Sequence, residues 1–187
     1  MATANDKLQD ESIAHAIWIA RYSTSVANRM IKILNDSDAE LTARLLVAMD
    51  SLDADSFTVS RLEALLVSVR GLNREAVQSM YAGLSEELQL LAQHEAGFQL
   101  SLFQFAIPDD VLLLHPLVGI SPDAVYAATM AQPFQGRLLS EAADNLEADR
   151  MARISNTVRQ GFLLGDTHEQ IARKVRGHAN RGYQQLS

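Results

Sequence analysis

Cysteine is absent from the 187 residues. That removes disulfides, thiolate nucleophiles and Cys-ligated zinc together, and it fits assembly in a reducing compartment. Proline is scarce, with four residues, and tryptophan occurs once. No apolar run approaches the roughly 20 residues a membrane-spanning helix needs; residues 111–114, VLLL, fall far short. The opening residues 1–11 are polar and mixed in charge, so no secretory leader and no membrane association are expected.

Chemical motifs are missing as well. There is no G-x-S-x-G elbow and no Gly-rich loop followed by Lys and Ser/Thr. The Gly161 and Gly165 pair lacks a third glycine at dinucleotide spacing and reads as a turn between helices. The five histidines are His15, His94, His115, His168 and His178. None lies three to five residues from another, so no single helix presents a zinc-gripping pair. His94-Glu95 begins like a zinc-protease helix, but Ala96, Gly97 and Phe98 bring no second histidine. Asp50, Asp53 and Asp55 fail as a calcium loop, because Asp55 and Arg61 stand where glycine and glutamate are required. The expectation is a protein with no cofactor, no metal and no enzymatic activity.

What is present is helical patterning. Over residues 7–35, Ile13, Ile17, Ala20, Ala27, Met30, Ile31 and Leu34 recur at helical spacing. Trp18 and Tyr22 are four apart and share a face. Asn35-Asp36-Ser37-Asp38 reads as a polar break, followed by a second helix over 38–51 with Leu41, Leu45, Leu46 and Met49. After a polar linker at 51–56, Thr58 caps a helix carrying Leu62, Leu65, Leu66 and Val69, interrupted or bent at Gly71. The pattern resumes over 74–105. Phe98, Phe103 and Phe105 are expected in its core.

Pro108 ends that region. Residues 111–120 are apolar and contain Pro116 and Gly119. They read as a short strand or an irregular connector, with Pro and Gly arguing against a central strand. Ser121-Pro122-Asp123 is a helix start, and that helix stops before Pro133. Phe134-Gln135-Gly136 is a turn. A helix over 137–162 is closed by Gly161 and Gly165. Thr167 and Gln170 have capping-box spacing for a last helix to Arg176, with Gly177 as its C-terminal glycine. The fold class is therefore all-α: long amphipathic helices packed as an irregular bundle with a smaller C-terminal helical lobe. The expected division is an N-terminal lobe over 1–107, a connector over 108–120 and a C-terminal lobe with a basic tail over 121–187.

Charge is uneven. The net value is −7. Residues 1–136 hold eight Lys/Arg against seventeen Asp/Glu, and residues 137–187 eight against six. The C-terminal set Arg173, Lys174, Arg176 and Arg181 has two readings. It can meet DNA phosphates, or it can be cations favoured at a helix C-terminus. Asp144, Glu147 and Asp149 read as solvated.

Residues 121–177, and above all the helix–turn–capped-helix run over 154–177 with THEQIA, look like the helical region of tailed-phage head-morphogenesis (minor head) proteins of the Mu F type. SFTVSRLEALLVSVRGLN (56–73) and EAGFQLSLF (95–103) are similar to the same family. The resemblance covers most of the chain. It implies a structural protein of the virion, made in the host cytoplasm and associated with the portal or coat protein at the capsid interior. Its implied role is head assembly and DNA packaging or delivery. Family members usually continue into a further C-terminal module, whereas this sequence stops at Ser187. Trp18, Phe134 and Leu163 are candidate anchors on a portal or coat subunit. The alternative is an internal or ejected virion protein that binds packaged DNA through Arg173, Lys174, Arg176 and Arg181.

Overall fold

The computed structural model describes residues 4–50 and 59–183, with side chains described over 5–50 and 62–177. It is all-α, and no strand occurs among the described residues. Six helices follow in order: α1 (Ala4–Asp50), α2 (Val59–Ala106), α3 (Asp109–Leu114), α4 (Pro122–Ala131), α5 (Leu139–Leu164) and α6 (His168–Tyr183). The linker at 51–56, the Thr58 cap, Asp53 and Asp55 lie outside the described residues.

Three expected helix boundaries are corrected, one each in α1, α2 and α6. α1 runs unbroken through Asn35-Asp36-Ser37-Asp38. Leu34 and Leu41 flank that stretch and are both buried, so one apolar face continues across it. Asp38 is itself buried and bonded to Arg150, and Lys32 pairs with Asp36 one turn away. Tertiary burial overrides the low helix propensity of these residues. α2 likewise passes through Gly71, which the sequence marks as a break. α6 continues past Gly177 to Tyr183. Glycine ends a helix here only where φ is positive, as at Gly165 and not at Gly177.

The chain forms two compact units, and these cut across the lobes expected from sequence. Unit 1 is Met1–Arg29 with Gly83–Leu139; unit 2 is Met30–Ala82 with Ser140–Ser187. Each takes one part of α1 and one part of α2.

Unit 2 holds the core. Leu41, Leu45, Met49, Leu65, Leu66, Val69, Met151, Ile154, Val158, Ile171, Ala172 and Val175 form one buried cluster from α1, α2, α5 and α6. Its polar insert is the Asp38–Arg150 pair, with Asn73 donating to the Glu147 carbonyl at 2.9 Å. Glu147 also takes Arg74 at 3.2 Å and so is not purely a solvated acid. The α5–α6 turn follows its sequence signals. Asp166 N–H donates to the Gly161 carbonyl and Gly165 N–H to that of Phe162, a Schellman closure with Gly165 at φ 69°. Thr167 and Gln170 then complete a reciprocal capping box, at 2.8 and 3.3 Å.

Unit 1 is different. Among its described side chains only Val26 and Ala92 are buried. Residues 111–120 do not form a strand: α3 takes the first part, started by Pro108 and two acids, and it stops at His115, which precedes Pro116. The rest is irregular. α4 begins at Ser121-Pro122 as expected, although the Ser121 side chain makes no capping bond. Phe134 and Arg137 exchange backbone bonds at 2.8 and 3.1 Å around Gln135 and Gly136. Both central residues have positive φ, as the tightest two-residue turn demands.

Candidate functional site

Three features of the described residues could carry function: an exposed apolar stretch in unit 1, a column of stacked rings in unit 1, and the basic face of α6.

The apolar stretch begins near the end of α2. Phe103 and Phe105 are exposed rather than core, with the Lys7 ammonium 5.0 Å from the centre of the Phe105 ring. Val111, Leu113 and Leu114 on α3 follow, then Leu117, Val118 and Ile120. Leu113 is 84% exposed and Val118 92%. Neither α3 nor α4 buries a single residue. Between α2 and the irregular segment lies a cleft of about 490 Å³, walled by Leu100, Phe103, Leu117, Val118, Ile120 and Val125. Gly119 lets the chain approach Leu100 there; a Cβ would stand 3.2 Å from its Cδ2. So much apolar surface in one place is characteristic of a surface that another molecule covers.

The ring column joins α1 to α2 within unit 1. Tyr22 stacks on Trp18 at 5.2 Å, Trp18 on His94 at 3.9 Å, His94 on His15 at 5.6 Å, and His15 on Phe98 at 3.7 Å, all with planes within 25° of parallel. His15, Trp18 and Tyr22 lie on one face of α1 at spacings of three and four, and His94 and Phe98 are four apart on α2. Trp18, a candidate anchor from sequence, is thus built into the column while keeping part of its surface open. His15 Nε2 lies 2.8 Å from Glu95 Oε1. The ligand atoms of His15, His94 and Glu95 all lie within 4.8 Å of one another. Spacing along the chain does not identify this trio as a ligand set, because its members sit on two helices far apart in sequence.

One end of the column is locked by hydrogen bonds. Tyr22 Oη donates to the Glu87 carboxylate at 2.7 Å and also lies 3.0 Å from its backbone carbonyl. Arg29 pairs with the other carboxylate oxygen at 2.6 Å. Burial, then the Glu87 bond, pushes the Tyr22 phenol up to about 12, and the Tyr22 bond holds the Glu87 carboxyl below its usual range.

On α6, Arg173 and Arg176 are exposed, whereas Lys174 is paired with Asp166. The Arg181 side chain lies outside the described residues. The other two proposed anchors are open: Phe134 is 70% exposed and Leu163 85%. No described helix is long and apolar enough to cross a membrane. Compared with known proteins, the chain matches no family model, no curated protein and no solved structure.

Proposed function

We propose that this chain is a structural protein of a tailed-phage head, of the head-morphogenesis type, and that it works by being bound rather than by turnover. Its partners in this reading are the portal or coat protein, and its place is the virion, where it serves head assembly and DNA packaging or delivery. The sequence resemblance supplies the family. The observation that carries the reading is the apolar surface over α3 and residues 117–120, which unit 1 leaves uncovered. An exposed apolar face of this kind suits a docking partner.

The test is co-purification with the portal or procapsids at low copy number. Leu113→Asp with Val118→Asp is expected to abolish that association while leaving the melting temperature unchanged. Heads assembled without the protein that keep normal DNA content and infectivity would overturn the reading.

Exposure of Arg173 and Arg176 supports a second reading, in which α6 contacts packaged DNA. It calls for salt-dependent binding that weakens when both become Ala, with a shallower salt slope. The engagement of Lys174 by Asp166 makes Lys174→Ala the weaker variant. No binding at low salt would remove this reading.

A further inference from the structure

The trio in the ring column has the donors of a metal site. We infer that His15, His94 and Glu95 bind a divalent transition-metal ion of the zinc class, clipping α1 to α2 within unit 1.

Two buried atoms of the trio lack a hydrogen-bond partner. His15 Nε2 and Glu95 Oε1 are both buried, and neither has a hydrogen-bond partner although they are 2.8 Å apart. Their contact is an ion-pair approach without a hydrogen bond. Buried polar atoms without partners are rare and call for a reason. The His15 side chain is 10% exposed, so bulk water does not supply the missing partner. A cation between the two would satisfy both lone pairs at once.

The donor set suits such an ion. Two imidazole nitrogens and one carboxylate oxygen make a three-ligand set with one position open, a pattern zinc adopts. Imidazole-rich sites also hold copper and nickel, with affinity following the usual first-row order. Bond lengths of about 2.0–2.2 Å place tetrahedral ligand atoms a little over 3 Å apart. The observed spacing, 2.8 Å for one pair and no more than 4.8 Å for the others, closes on that value with small side-chain shifts. The stack holds the rings in place, since His15 lies against Phe98 and His94 against Trp18, and an ordered apolar surround tunes a metal site. His94 is exposed, which gives the ion a way in.

Unit 1 also has a use for a clip. With only Val26 and Ala92 buried among its described side chains, it lacks the apolar core that usually joins helices, and small cores are commonly reinforced by a metal. This inference stands apart from the head-assembly reading and survives or fails separately from it.

The experiment titrates the chelator-stripped full chain with Zn²⁺ by calorimetry, beside thermal melts with and without the ion. One equivalent is expected to bind, with a dissociation constant on the order of micromolar, and to raise the melting temperature by mass action. Co²⁺ in its place is expected to give the visible absorption of a tetrahedral site. Read against its own metal-free melt, because it also takes a ring out of the stack, His94→Ala separates loss of the ligand from loss of stacking. It is expected to weaken Zn²⁺ binding about tenfold or more and to cancel the thermal shift, as is Glu95→Gln, while His168→Ala changes neither. Absence of stoichiometric binding to the wild-type chain, or binding retained in His94→Ala or Glu95→Gln, would overturn the site.

Discussion

Units 1 and 2 are built from parts of the same two long helices, yet they are held by different forces. Unit 2 buries a dry aliphatic cluster around Leu45, Met49 and Val158. Unit 1 joins its helices with stacked rings, a tyrosine–glutamate–arginine network and a histidine–glutamate trio, while the apolar side chains over α3 and residues 117–120 are largely exposed. Hydrophobic stabilisation scales with apolar area removed from water, so the buried cluster of unit 2 is expected to dominate stability, while the exposed apolar stretch of unit 1 is open to a partner. Opening free energies vary across a protein in this way, and binding segments come from the weaker end.

The sharpest test of that contrast lies at the buried ion pair of unit 2. Asp38 and Arg150 form a buried pair, and the two partners are not equivalent. Burial raises the Asp38 pKa against the opposing pull of Arg150, so an aspartate left alone can protonate. A guanidinium cannot lose its charge. Asp38→Leu, which strands Arg150, is expected to cost about 3–5 kcal/mol by denaturant unfolding. Arg150→Met is expected to cost less, and its deficit follows pH. A raised carboxyl pKa favours the neutral form, so the deficit is smallest below the ordinary value of 3.8 and grows as pH rises above it. Equal, pH-independent losses would refute the asymmetry. Next in size, Leu45→Ala in the fully buried cluster is expected to cost about 2–5 kcal/mol. Leu113→Ala in unit 1 is expected to stay within about 0.5 kcal/mol of wild type in the same measurement.

A smaller effect probes how α6 seats in unit 2. A Cβ on Gly161 would overlap the side chain of Ile171, which is fully buried and cannot swing aside. Gly161→Ala is therefore expected to cost about 1–3 kcal/mol in thermal melts. Gly71→Ala, where nothing lies within 4 Å, is expected to be neutral or to gain up to about 1 kcal/mol of helix propensity.

Which features the sequence reveals follows from how far their causes reach. Local signals were legible: the Thr167–Gln170 box, the Gly165 closure, the Ser121-Pro122 start and the turn after Phe134 are each decided within a few residues. The all-α class followed from apolar spacing summed over long windows. The polar run 35–38 misled because what keeps it helical is Arg150, on another helix. Phe103 and Phe105 misled because helical spacing identifies a face without saying what covers it. The histidine–glutamate trio was illegible as a ligand set, since ligand spacing is read along one helix and these residues sit on two. Its one trace was the ring spacing of His15, Trp18 and Tyr22 on one helix and of His94 and Phe98 on the next.

The finest test concerns the bond that closes the column. Tyr22 Oη donates to Glu87, and the two proton affinities move apart: the phenol rises from 10.0 to about 12 and the carboxyl falls below 4.5. The raised phenol contributes stability that is complete below pH 10 and lost as pH climbs toward 12. The lowered carboxyl contributes stability present above its ordinary value and lost as pH falls through its depressed one. The bond therefore acts at full strength between about pH 4.5 and 10. Tyr22→Phe keeps the ring and its stacking on Trp18 and removes only the donor, at a cost of about 0.5–1.5 kcal/mol. Within that window the loss is expected to appear as faster hydrogen exchange of unit 1 amides flanking residues 22 and 87, with unit 2 amides unmoved. Outside that window, on the acid side and on the alkaline side, the difference between variant and wild type is expected to shrink. Equal acceleration in both units would mean that they open as one and that the division of labour between them is wrong. No acceleration in either would mean that stacking alone holds the column.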